Sequence, residues 1–390
     1  MSTAVAKTVA EEALGFQLPH RRMEEWRWTD LRQLIDKPYP PRQKVEAASA
    51  DAQRLLAVSI FHGIPATRMV FVNGHYDGVL SKLANGAVEA KAEADEPVLQ
   101  MNAAFATDGA RIRLEGNIDT PVELVFISTN AAPRTIATRN VIEVADDASA
   151  TIIETHIGEG SYLANSVTEI RVGANARLDR VKVELESHDA THLAHCHVTL
   201  ARNVTFRDFT LSTGAKLNRQ NGTYCFIGEF ADAKVTGAYL LAAKQHADTR
   251  LVVDHRVPNC ASRELFKCVM DDHARGIFQG KVIVQPHAQK TDGKQSSHAL
   301  LLSETSEFDA KPELEIYADD VACGHGATAG DLNHDHVFYL KSRGIPEAEA
   351  RSMLVAAFVG EAFDAIQHDG LRDALNDYAA RWLTEHRRKG

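Results

Sequence analysis

Five alanines, Ala231, Ala247, Ala261, Ala274 and Ala288, stand 16, 14, 13 and 14 residues apart, and each lies at or near the start of a short apolar or alternating run. The runs include FADAKVTGAYLLA, QHADTRLVVDH, CASRELFKCVM and DHARGIFQGKVIV. A sandwich with variable loops does not keep such a spacing. Repeated coils, each adding a strand to a sheet that only its neighbours complete, do. From about residue 110 to 322 the helical period is absent and short strands alternate with Asp, Gly, Asn and Ala, so the sequence predicts a mainly β chain built on a parallel β-solenoid. A jelly roll or another many-stranded sandwich is the competing architecture.

The flanks carry other periods. RRMEEWRWTDLRQLI (21–35) places Trp26, Leu31, Leu34 and Ile35 on a helical stripe with Thr29 and Asp30 as candidate caps, before DKPYPPR ends any helix. RMVFVNGHYDGVL (68–80) reads as a β-hairpin turning at Asn73-Gly74, and residues 98–116 as a short helix entering a strand. Beyond the solenoid, 346–367 and 371–386 are amphipathic helices joined by a short turn, expected to pack on each other. A solenoid end left open invites edge pairing, and these helices are the elements available to cover it. The resulting regions are 1–109, mainly helical; 110–335, the β core; and 336–390, helical.

A net charge of -10 argues against a nucleic-acid partner, and the basic run at 386–389 reads as a helix C-terminus. No apolar run reaches membrane-spanning length and the N-terminus lacks a signal-peptide pattern. The five cysteines, Cys196, Cys225, Cys260, Cys268 and Cys323, form no CxxC and fit free thiols in a reducing cytoplasm. GIFQGKV (276–282) misses the phosphate loop by a residue and a hydroxyl, and GxSxG is absent. A polysaccharide-acting enzyme would need paired carboxylates in a groove; Asp254, Glu264, Asp271, Asp272 and Glu315 are available, but their spacing selects no pair.

The densest cluster of chemistry-bearing side chains is CGHGATAGDLNHDH (323–336). If its first residues continue a strand, Cys323 and His325 share a face and can meet one metal ion or one cavity, as two ligands of an incomplete site. Gly324, Gly326 and Gly330 read as backbone room, and His334 and His336 as the first turn of the next helix. A second group, His192, His195, Cys196 and His197, puts His195 and His197 on one strand face and Cys196 on the other, and reads as a solvated histidine face with a buried thiol behind it.

The runs KPELEIYADDVACGHGATAGDL (311–332) and FYLKSRGIPEAEARSMLVAAFVGEAF (338–363) closely resemble the SufB/SufD family of iron-sulfur cluster assembly proteins. EEWRWTDL (24–31) and NAAFATDG (102–109) look like its SufD branch. The resemblance implies a right-handed parallel β-helix between helical ends, without enzymatic activity of its own. It also implies two partners, a SufB-like paralogue and a SufC-like ABC ATPase, and leaves open whether the chain in isolation forms a homodimer. The C-terminal helices would bind the ATPase, with Met353, Phe358 and Phe363 as candidate contacts. His325, with Cys323 beside it, would serve cluster assembly at the junction with the paralogue as ligand or proton carrier. Iron or a cluster would reside there only transiently, and no tightly bound cofactor is expected in the lone chain. SufB-type chains carry a cysteine where this one reads KQSSHALL (294–301) and a glutamate where Gly326 stands. Both departures favour the SufD branch. A stand-alone metal-binding β-solenoid remains the alternative.

Overall fold

The computed structural model describes residues 7–41, 49–86, 96–129 and 133–387. Strands assigned in sequence order to alternate sides form two sheets, one of ten strands and one of eight. Within each sheet the long strands pair in parallel, so the chain is a parallel β-solenoid with one strand in each sheet per coil. Arg177, Thr205, Asp232, Ala261, Asp292 and Ala322 are successive partners down one ladder. The spacing of about 14 residues therefore marks half a coil, a strand and its corner.

The corners are where the sequence dictates the fold most directly. Asp147, Asn175, Asn203, Phe230, Asn259 and Lys290 all adopt φ between 59° and 63°, one per coil at the same corner. Asn and Asp tolerate this left-handed conformation better than other residues with a Cβ. Their side chains also form a ladder: Asn175 donates to Asp147 at 3.0 Å and Asn203 to Asn175 at 3.2 Å. Apolar side chains from both sheets fill the lumen at its narrow parts, among them Phe206, Phe226, Phe266 and Phe278.

One end of the solenoid carries a hairpin. The strand Thr67–Val72 joins the ten-stranded sheet beside Val122–Ser128 and turns at Asn73-Gly74 into the antiparallel strand His75–Tyr76. This is the expected hairpin, and it extends the β core with residues from the N-terminal region. The helix Pro97–Phe105 leads into the strand Arg111–Leu114, also as expected. The single helix expected over 21–35 is instead two short pieces, Glu24–Trp26 and Leu31–Leu34. Asp30 caps the second. Thr29 is no cap; its buried hydroxyl donates to Asp248 and meets His246 at 2.9 Å. Trp26 is buried under the Arg219 guanidinium, 4.6 Å from the ring centre, which pins this segment to the eight-stranded sheet.

The other end is open. Among the described residues, Glu307–Ile316 and Ala322–Gly330 are the last strands of their sheets and are paired on one side only. The C-terminal helices, His334–Ser342, Glu347–Phe363 and Asp369–Arg387, do not cover them as expected. The last two pack on each other and lie back along the outer face of the ten-stranded sheet, burying Val181, Val183, Phe209, Leu211, Leu240 and Val269. The reason is apolar area: that outer face carries the larger unpartnered stripe, whereas the terminal coil carries charges and glycines. Of the basic run at 386–389, Arg388 and Lys389 lie outside the described residues.

Candidate functional site

In the strand Ala322–Gly330, Cys323 is paired with Gly293 and His325 with Gln295. Gly293, Gln295 and Ser297 are the inward-facing, buried positions of the penultimate strand of that sheet. Cys323 and His325 therefore stand on the lumen side of the last coil, on one face as the alternation required. No further coil lies above them among the described residues, so His325 is exposed and Cys323 half-buried. They line an open depression with Lys294, Gln295, Ser296 and Val321.

The two donors differ in readiness. The Cys323 sulfur sits against the next coil, 3.5 Å from where a Cβ on Gly293 would lie, and burial pushes its thiol up. A thiol held protonated is a poor ligand until its proton passes to a base or to solvent, as it does when a metal displaces it. Below His325 the ladder continues through Gln295 to Glu264. Glu264 is buried, and that burial lifts its carboxyl to about 7, with Ser262 and the Arg263 charge offsetting only part of the cost.

The glycines that flank His325 are not required by any close contact among the described residues. A Cβ on Gly324, Gly326 or Gly330 would meet nothing within 4 Å, and none has a positive φ. His334 and His336 take the first turn of the following helix, as expected, and Asn333 is its cap, accepting from the Asp335 and His336 amides. Neither histidine joins the Cys323/His325 site as a ligand in the arrangement described. The large apolar side chains exposed around this end are Ile316, Tyr317, Phe338 and Tyr339.

The candidate partner residues on the helix Glu347–Phe363 fall into three environments. Met353 is 47% exposed. Phe358 is half-buried beneath Lys267, whose ammonium lies 4.5 Å from the ring centre and also 2.6 Å from Glu361. Phe363 is fully buried against Phe209, so it does not face outward.

A second polar centre lies inside the solenoid. Glu154, Arg180, Lys182, Glu184, Glu186, His156 and His192 are all buried between the sheets. His195 and His197, expected on a solvated face, are half-buried on the opposite side of their strand, and burial lowers both, His195 to about 4. Cys196 faces the lumen, where burial raises its thiol to about 12. His192 belongs to the lumen as well, not to the solvated face. Burial disfavours its charged form, but Glu186 and Glu184 outweigh that and lift it to about 9. RVKVELE (180–186) offered the signal, a charge at every second position, but alternation alone does not say which face turns inward. Of the carboxylates considered for a hydrolase, Asp254 is bound to Arg256 at 2.6 Å and Glu315 to Lys281 at 2.5 Å.

Residues 126–358 match the family model described as "SUF system FeS cluster assembly, SufBD core domain". The chain is 30% identical over 384 residues to the iron-sulfur cluster assembly protein SufD of Escherichia coli, covering 94% of this chain and 89% of the relative. It is 30% identical over 403 residues to an iron-sulfur cluster assembly SufBD family protein of Synechocystis, covering 94% and 88%. A SufBD family protein of Mycobacterium leprae is 29% identical over 369 residues, covering 93% and 89%.

Proposed function

The chain belongs to the SufBD family of SUF-system iron-sulfur cluster assembly proteins, and from that premise we propose that it is the SufD-type, non-catalytic subunit of a cytoplasmic SufBCD-type scaffold. Its open solenoid end joins a SufB-like paralogue, and its C-terminal helical region, residues 336–390, holds a SufC-like ATPase. Iron is the cargo, entering at the junction beside His325.

The observation that carries this reading is the state of the last coil. Two strands, Glu307–Ile316 and Ala322–Gly330, present unpaired edges, and a buried partner for such edges removes an aggregation hazard. The open space at Gly324 and Gly326 lets another backbone approach closely. Ile316 and Tyr317, 41% and 60% exposed, supply apolar area at the same rim. Two donors do not close a metal site. Among the described residues, the one group of three or more His, Cys, Asp or Glu side chains gathered closely enough for an ion lies in the lumen, which supports assigning the ligands missing at Cys323/His325 to the partner. His325 then acts as ligand or proton carrier, and Cys323 as a thiol deprotonated on metal arrival.

The test is co-expression with a SufB-like and a SufC-like subunit and measurement of iron and cluster absorbance in the purified complex. His325→Ala is expected to leave the complex intact and lower its iron content at least fivefold. Unchanged iron in that variant, together with a full cluster reconstituted on the lone chain, would favour the stand-alone metal-binding solenoid.

A further inference from the structure

The lumen centre is independent of the open end and has the composition of a metal site. One ring nitrogen of His156, one of His192 and one Glu186 oxygen lie within 4.8 Å of one another, and all three residues are buried. His156 comes from the strand Ser149–Gly158 of one sheet and His192 from Thr191–Leu200 of the other, while Glu186 follows the strand Arg177–Leu185. The coils fix all three, so the geometry is preformed.

Each imidazole is held through a nitrogen by a carboxylate. His156 Nε2 is 2.8 Å from Glu154, and His192 Nε2 is 3.1 Å from Glu184. Carboxylates that orient histidines in this way are the usual support of a metal-binding imidazole. On the other side of the His192 ring, Nδ1 and Glu186 Oε2 are 2.9 Å apart, yet neither atom makes a hydrogen bond among the described residues. Buried polar atoms are rarely left so. Two donors each about 2.1 Å from a common ion and at right angles would stand about 3 Å apart.

The charges agree. Glu154, Glu184 and Asp208 pair with Arg180 and Lys182 while Glu186 lies against His192, so these four buried carboxylates outnumber the two cations, and a proton on His192 offsets only part of the excess. Uncompensated buried charge is costly, and a divalent ion removes the deficit. A cavity lined by Gly74, Phe126, Ser128, Thr138, His156 and Glu186 adjoins the cluster and gives room for roughly one water as a further ligand.

We propose that His156, His192 and Glu186 form a lumenal site for a divalent first-row transition ion of the Fe2+ or Zn2+ class, with Glu154 and Glu184 as positioning residues. Two imidazoles and one carboxylate suit such an ion, and the absence of a thiolate from the set separates it from the sulfur-bearing end of the molecule.

The test uses Co2+ as a spectroscopic probe on the chelator-stripped full chain. A Cys323→Ser/His325→Ala double variant removes the exposed site without touching the lumen. It is expected to bind one equivalent of Co2+ with visible ligand-field bands and no sulfur-to-cobalt charge transfer, and one equivalent of Zn2+ should displace it. Glu186→Gln and His192→Gln are expected to weaken Co2+ at least a hundredfold. Absence of Co2+ and Zn2+ binding in the double variant overturns the proposal whether or not the lumen variants fold, and so does full binding in both folded lumen variants.

Discussion

Phe363 meets Phe209 edge to face, with ring centroids 5.4 Å apart and planes at 83°. Phe209 stands on the outer face of the ten-stranded sheet and Phe363 at the end of the helix Glu347–Phe363, so this pair fastens the C-terminal helices to the solenoid. Phe363 is 1% exposed. Its truncation removes a buried aromatic and leaves a cavity, which typically costs about 3–5 kcal/mol. Phe363→Ala is expected to lower the thermal midpoint and to make the helical region an early target of limited proteolysis. Digestion at the wild-type rate would show that the helices are held by other contacts.

Met353 lies on the same helix, ten residues earlier, and is exposed. An exposed, flexible, apolar side chain on a helix face is suited to a partner's groove. Under the proposed ATPase contact, Met353→Asp should abolish co-purification with a SufC-like subunit while the thermal midpoint of the lone chain stays within about 2 °C of wild type, since surface substitutions seldom shift stability by more than about 0.5 kcal/mol. Retained co-purification would move the contact off this face. Phe358→Asp is a poorer probe, because it also breaks the packing of that ring under Lys267.

The solenoid was legible because its corners repeat. The alanine spacing exposed half the coil, and a fuller reading was present in Asp147, Asn175, Asn203 and Asn259, the Asx residues that accept the left-handed corner. Phe230 and Lys290 occupy equivalent corners without that chemistry, which hides two members of the series from sequence. The Cys323/His325 pair was legible for a similar local reason: period two fixes which side chains share a face. What escaped was the choice of inside and outside. In RVKVELE the charged face turns inward and Val181 and Val183 turn out beneath the helices, the reverse of an ordinary amphipathic strand. Only the distant helices at 347–387, by offering the valines an apolar cover, make that inversion stable. The same long-range choice left the end coil open and broke the segment 21–35 around Trp26, whose partner Arg219 lies far along the chain.

Glu264 gives the structure a pH signature. Its ordinary carboxyl value near 4.5 is raised to about 7 in the folded chain, by burial first. Between those values the native state holds a proton that the unfolded chain has lost, so stability falls as pH rises through the window and levels off above about 7. At roughly 1.4 kcal/mol for each pH unit, the loss attributable to this group is about 3 kcal/mol. Glu264→Gln keeps the shape and removes the titration. Unfolding midpoints in denaturant, measured from pH 5 to pH 8 on both proteins, should therefore converge at the acidic end, with the variant the more stable at the basic end. Parallel curves for the two proteins would mean that Glu264 ionises in the folded lumen without cost, with solvent or a cation reaching it beneath His325.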